Sequence, residues 1–255
     1  MAVHDFWEVA IPTFSGIIGA FAGGVPSYLL ARRGSKEVLE RDAQSRRDNE
    51  RAAAQRVFAK LSILTNSLLD WHQQTEAMIA RAERDGHGAM PIAQRLSTYA
   101  GIARETMPEF TAEELALFVN AGEVGYIDDL VLLQRRHRAA IDNLVAFGTM
   151  RSRLHYQMAE YGETDRDATG MSRTIARVPV GTANRLKLEA DELELYAREM
   201  RKLLADFAAF AERVATAYGD HIRRYFDDPT MPGFARTEAA EYEGPAIGAT
   251  TPVAP

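Results

Sequence analysis

The sequence predicts an all-α protein: a single N-terminal transmembrane helix followed by an elongated antiparallel helical bundle with coiled-coil-like packing. Three observations carry this reading. Residues 9–31 contain no charged side chain and are closed by Arg32 and Arg33. Apolar residues recur by threes and fours from Val57 and again from Leu193, the spacing of a helical packing seam. And no segment shows the β-branched, period-2 alternation of a strand.

The chain divides into a short N-terminal flank (residues 1–8), the span (9–31), a basic juxtamembrane helical stalk (32–56), the bundle (57–228) and a disordered tail (229–255). At 1.5 Å rise per residue the uncharged run makes a helix of roughly 34 Å, slightly longer than the ~30 Å hydrocarbon core of a bilayer. Its nine strong hydrophobes favour insertion by roughly 3 to 5 kcal/mol before Gly, Pro and Ser subtract from it. Phe6 and Trp7 stand where interfacial aromatics belong. A cleavable signal peptide fits Ala20-Phe21-Ala22, but the preceding flank carries Asp5 and Glu8 and no Lys or Arg. A buried soluble helix would rarely hold four Gly and two Pro in such a run, and a re-entrant or interfacial segment is the other competitor.

Charge beside the span sets its direction. The N-terminal flank is acidic, whereas residues 32–60 hold Arg32, Arg33, Lys36, Arg41, Arg46, Arg47, Arg51, Arg56 and Lys60 against five acids. The positive-inside rule then puts the N-terminus outside and the bundle in the cytoplasm. Arg32, Arg33 and Lys36 are the expected lipid head-group contacts. Gly16, Gly19, Ala20, Gly23 and Gly24 include small pairs four apart, the spacing that lets two membrane helices approach closely, and are the expected helix-association residues.

Composition narrows the function classes. There is no cysteine, which excludes disulfides and thiolate metal sites, and the net charge of −6 lacks the basic excess of a nucleic-acid binder. Arginine far outnumbers lysine and alanine is abundant, a balance read as that of a GC-rich bacterium, so the membrane is the bacterial inner membrane.

Beyond the span, residues 32–51 are polar on every side, with Glu37/Arg41 and Asp42/Arg46 as i,i+4 pairs. Val57, Leu61, Leu64, Leu68, Trp71, Thr75, Met78 and Ala82 form the first seam, widened by Phe58, Leu69 and Ile79. The first helix ends at about Asp85, before Gly86, and Pro91 opens a short second helix. Thr111 with Glu114 makes a capping box for a third helix from Ala112 to about Ala121. A fourth helix runs from about Glu123 to Tyr161, with Ile127, Leu130, Val131, Ile141, Leu144, Val145, Gly148 and Met158 inward. Residues 163–181 read as a flexible connection. From about Asn184 to Phe226 a fifth helix carries Leu193, Tyr196, Met200, Leu203, Phe207, Phe210 and Val214 as its seam. If the fourth helix returns antiparallel to the first, the 163–181 connection lies near the bilayer, with Arg166, Arg173, Arg177, Arg185 and Lys187 toward lipid; an ordinary solvated loop is the plainer expectation.

No residue pattern carries catalytic chemistry. None of the six histidines has an acid three residues before it, and there is no H-E-x-x-H, no phosphate-cradling G-x-x-x-x-G-K and no G-x-S-x-G elbow. No cofactor or metal is expected. Arg135-Arg136-His137-Arg138 reads as a solvated patch; Glu189, Asp191, Glu192 and Glu194 as acids near a helix start; Trp71, Tyr99, Tyr196, Phe207 and Phe210 as core. The expected role is that of a membrane-anchored bundle acting through protein contacts as scaffold or signalling adaptor, with the lipid bilayer and a homo-oligomer or other protein as partners and no nucleic acid. The alternative is a self-associating protein that forms a pore or lesion through its Gly-rich helix; an enzyme with a nonstandard site comes third.

Overall fold

The computed structural model describes residues 4–99, 108–166, 172–176 and 178–234, with side chains from residue 32 onward except at 163–166 and 172–176. The described chain is helical apart from one two-stranded hairpin. In order it forms α1 (His4–Arg84), α2 (Ile92–Arg95), α3 (Ala112–Asn120), α4 (Val124–Ala159), β1 (Gly162–Arg166), β2 (Ser172–Ala176) and α5 (Val180–Phe226). Two compact units result, Met1–Ala53 and Ala54–Pro255.

In the first unit the backbone is helical from residue 4, and the side chains from Arg32 to Asn49 are exposed. Lys36 pairs with Glu40 at 3.7 Å and Arg46 with Glu50 at 3.3 Å, each one helical turn apart. Among the described residues no helix is long and apolar enough to cross a membrane. The side chains of the 9–31 run, including Gly16, Gly19, Ala20, Gly23 and Gly24, lie outside those described.

The second unit is the bundle. On α1 the buried residues Val57, Leu61, Leu64, Leu68, Thr75, Ile79 and Ala82 follow the helical spacing expected of a seam. The helix stops at Gly86, whose φ of +85° suits a residue without a side chain. Thr111 and Glu114 form the expected capping box at α3: the Thr111 side chain accepts from the Glu114 amide and the Glu114 carboxylate accepts from the Thr111 amide. Gly122, at φ +76°, turns the chain into α4.

Hydrogen bonds across the bundle give its directions. Tyr218 on α5 donates to the Ala54 carbonyl, and Tyr126 on α4 donates to the Val214 carbonyl at 2.7 Å. Further along, Arg201 holds Glu76, and Tyr196 reaches the Asn143 side-chain oxygen at 2.7 Å. Both α1 and α4 therefore run antiparallel to α5 and parallel to each other. The chain makes its return between them: Ala93 donates to Glu194 at 2.9 Å, Tyr99 meets Thr75 at 2.6 Å, and Glu114 meets Lys60 at 2.7 Å, so the α2–α3 stretch travels back toward the Ala54 end before α4 begins. This removes the condition that placed the 163–181 connection beside lipid, because α4 does not return against α1.

That connection also holds the strands the sequence did not show. β1 and β2 pair antiparallel, Gly162 with Ala176 through Arg166 with Ser172. Glu163, Thr164, Asp165 and Arg166 supply no apolar alternation, so backbone hydrogen bonds define the pair.

On α5 the buried side is Leu186, Leu193, Ala197, Met200, Leu204, Ala208, Phe210, Ala211, Val214, Ala215, Tyr218 and Ile222, so Leu193, Met200, Phe210 and Val214 of the expected seam are buried. Leu203, expected in the seam, is 37% exposed, while Leu204 is buried at 1%. The buried face is broader than the expected seam, since Ala197, Leu204, Ala208, Ala211 and Ala215 are buried beside it. The described start of the tail also packs: Met231 is buried, and the Phe234 ring lies 4.9 Å from Phe58. There Gly219 and Gly233 meet back to back, and a Cβ on Gly219 would stand 3.1 Å from the Gly233 Cα. The remainder of the tail, residues 235–255, lies outside the described residues.

Candidate functional site

Three charged features of the described chain are candidates for a site: the basic stalk, the paired acids inside the bundle, and the cluster at Arg135–Arg138. The stalk divides at the bundle edge. Arg32 and Arg33 are exposed with Lys36, and Val38 and Leu39 are exposed beside them. Arg56 and Lys60, which the sequence groups with these, turn instead toward Glu114: Lys60 Nζ lies 2.7 Å and Arg56 Nε 3.5 Å from its carboxylate. The two cations thus share one carboxylate, Lys60 at the closer distance and Arg56 with half of its side chain still exposed.

Glu114 is the most enclosed carboxylate among the described residues. Its side chain is 1% exposed, and it accepts from Lys60 and from the Thr111 amide. Burial pushes its carboxyl up, but the hydrogen bonds from Lys60 and Thr111 and the charges of Lys60 and Arg56 outweigh that, holding it below the usual glutamate range. Lys60 also donates to the Glu109 carbonyl at 2.7 Å, so one ammonium ties α1 to the loop before α3 and to α3 itself. At the level of Glu76, Arg201 makes a two-pronged pair at 2.6 and 2.7 Å, and this hydrogen bonding lowers the Glu76 carboxyl.

Of the acids near the start of α5, Asp191 and Glu192 are exposed, and Glu189 and Glu194 have partners. Glu194 accepts from the Ala93 amide at the start of α2 and from Arg198 at 2.7 Å, and Glu189 stands near Arg153 and Arg185. Among the described residues no group of three His, Asp or Glu side chains is placed to hold a metal ion.

The Arg135–Arg138 run does not form the uniform solvated patch that its sequence suggests. Arg135 and Arg138 are exposed, but His137 is buried at 4%, its ring 5.1 Å from that of Trp71. Neither ring nitrogen has a hydrogen-bond partner, and burial pushes its pKa down to about 4, so the imidazole is neutral at pH 7. Arg136 lies over Phe210, its Cζ 4.0 Å from the ring centre. A run of four spans more than one face of a helix, so consecutive residues meet solvent, aromatic and core in turn. Of the expected core aromatics, Tyr99 and Phe210 are buried, while Trp71, Tyr196 and Phe207 are half-buried against the core.

No family model matches the chain, and no curated protein or solved structure shows significant similarity to it.

Proposed function

We propose that the protein is a bacterial inner-membrane protein anchored by residues 9–31, with its N-terminus outside and its bundle in the cytoplasm, where the bundle acts through protein contacts as a scaffold or adaptor. The observation that carries this is the charge-free 23-residue run followed at once by Arg32, Arg33 and Lys36, all three exposed on a helix.

The absence of cysteine makes a topology test clean. Ala2→Cys should react with an impermeant maleimide in intact cells, and Ser152→Cys only after permeabilisation. Equal labelling of both, or release of the chain by alkaline carbonate, refutes the anchored reading.

The small pairs Gly16/Ala20, Gly19/Gly23 and Ala20/Gly24 favour self-association in the membrane, with a pore or lesion as the second reading. Gly19→Leu with Gly23→Leu should abolish cross-linked homo-oligomers and any dye leakage while the bundle still captures its partner. Finding neither homo-oligomer nor partner after cross-linking in the membrane removes both readings.

A further inference from the structure

Two arginines from different helices of the bundle share one aromatic ring. Arg136 of α4 stands with its Cζ 4.0 Å from the Phe210 ring centre and 5.5 Å from that of Phe207, and Arg213 of α5 stands 4.9 Å from the Phe210 centre. Phe210 is 4% exposed and held by the core, so the ring is a fixed support. Arg136 is half-buried and Arg213 exposed, which keeps the pair at the surface of the α4–α5 seam.

A guanidinium on an aromatic face satisfies its charge in part while leaving its N–H edges free, and those edges form a fork suited to oxyanions. Neither arginine makes an ion pair among the described residues. The sequence explains why: the positions three and four away from each, on either side, are Leu, Ala, Thr or Phe, so no acid lies one helical turn away. The acid on the same face as Arg136 is Asp129, two turns earlier, and Asp206 and Glu212 flank the ring's stretch of α5 without an ion pair to either arginine. Two cations held at one ring without a counter-ion repel each other, and an anion bridging them relieves that repulsion.

We propose that Arg136 and Arg213, braced by Phe210, form a binding site for a phosphate monoester group. A carboxylate presents two oxygens in one plane and a single negative charge, whereas a dianionic phosphate presents three terminal oxygens and twice the charge, which favours it at a pair of cations. The half-buried Phe207 supplies an apolar wall for the group that bears the phosphate. The same monoester chemistry is presented by a soluble phosphorylated molecule and by the head group of phosphatidic acid.

The test is isothermal titration of the full-length chain in nonionic detergent, with phenyl phosphate in one arm, micelles doped with phosphatidic acid in a second, and benzoate as the carboxylate control. Saturable binding of phenyl phosphate, with a Kd on the order of 10⁻⁴ M, is expected. Arg136→Gln and Arg213→Gln should each weaken it by about tenfold or more, and Arg135→Gln, one residue away and exposed, by no more than about twofold. Saturable binding in the soluble arm alone assigns a solute, and binding in the doped-micelle arm alone assigns a lipid head group; either supports the site. Absence of binding in both arms, equal affinity for benzoate, or a loss with Arg135→Gln that matches the other two overturns the proposal. Because Arg213 is exposed, its variant decides the question if Arg136→Gln alters the thermal melt.

Discussion

Lys60→Met separates the interior ion pair from ordinary surface charge. The substitution keeps the apolar stem of residue 60 but leaves the Glu114 carboxylate, 1% exposed, with the Thr111 amide and the half-exposed Arg56 as its remaining partners. Removing one member of a buried pair costs about 3–5 kcal/mol when nothing replaces it. Arg56 at 3.5 Å compensates in part, so the expected loss is about 2–3 kcal/mol at pH 7. Glu114→Gln retains an acceptor for the Thr111 amide, and the double variant should recover part of the loss, with a coupling of roughly 1–3 kcal/mol.

The pH dependence has a definite sign. The folded Glu114 carboxyl titrates below the unfolded value, so its stabilisation is complete above the ordinary glutamate range and is lost as pH falls through the depressed folded value. In Lys60→Met the desolvated carboxyl is easier to protonate, so the gap between wild type and variant narrows as the pH falls. Urea unfolding of the full chain in detergent, followed through Trp71 in a Trp7→Phe background, measures both. A loss below about 0.5 kcal/mol, or a gap that does not change with pH, refutes the assignment of a buried, load-sharing pair.

His137 gives the second acid-side dependence. Its pKa of about 4 lies below the ordinary 6.5, so the stability that this group confers is complete above pH 6.5 and is lost as pH falls toward 4, by up to about 3 kcal/mol. His137→Leu should remove that slope and leave the unfolding free energy at pH 7 unchanged or higher, since both ring nitrogens lack partners; an unfolding free energy at pH 7 lower by more than about 1 kcal/mol would show a hydrogen bond that matters. Gly219→Ala should displace the Gly233 backbone and free Met231, at about 1–3 kcal/mol, and expose the tail to limited proteolysis. Unchanged cleavage kinetics between residues 228 and 235 would contradict that close approach.

The signals legible in the sequence are those whose physics is local. The Thr111/Glu114 capping box depends on a spacing of three, and Gly86 and Gly122 stand where positive φ demands them. The α1 seam was legible because its large apolar residues are also its buried ones. On α5 the two sets differ: Ala197, Ala208, Ala211 and Ala215 are buried but weigh little in any count of hydrophobes, whereas Leu203 draws the eye and is exposed. His137 was hidden by its basic neighbours, though its position four after Leu133 and four before Ile141, both buried, was the signal that could have placed it inside. The parallel course of α4 was not legible, since it depends on the path of the connecting stretch through Ala93 and Glu114 and on no residue of α4. The 9–31 span, which rests on the sequence alone, is where the topology experiment bears most.

The pairing of α1 with α5 bears on how the chain is made. Tyr218 closes on Ala54 across 164 residues of sequence and Arg201 on Glu76 across 125. Most helical proteins gather quickly because neighbours in sequence are neighbours in space, and here the first seam waits for the last helix. While the ribosome works through the intervening segments, Val57, Leu61, Leu64 and Leu68 have no α5 to cover them. Until then only the segments through α4 lie against the strip, and a truncation before residue 193, which lacks the α5 side of the bundle, should aggregate or recruit chaperones rather than fold.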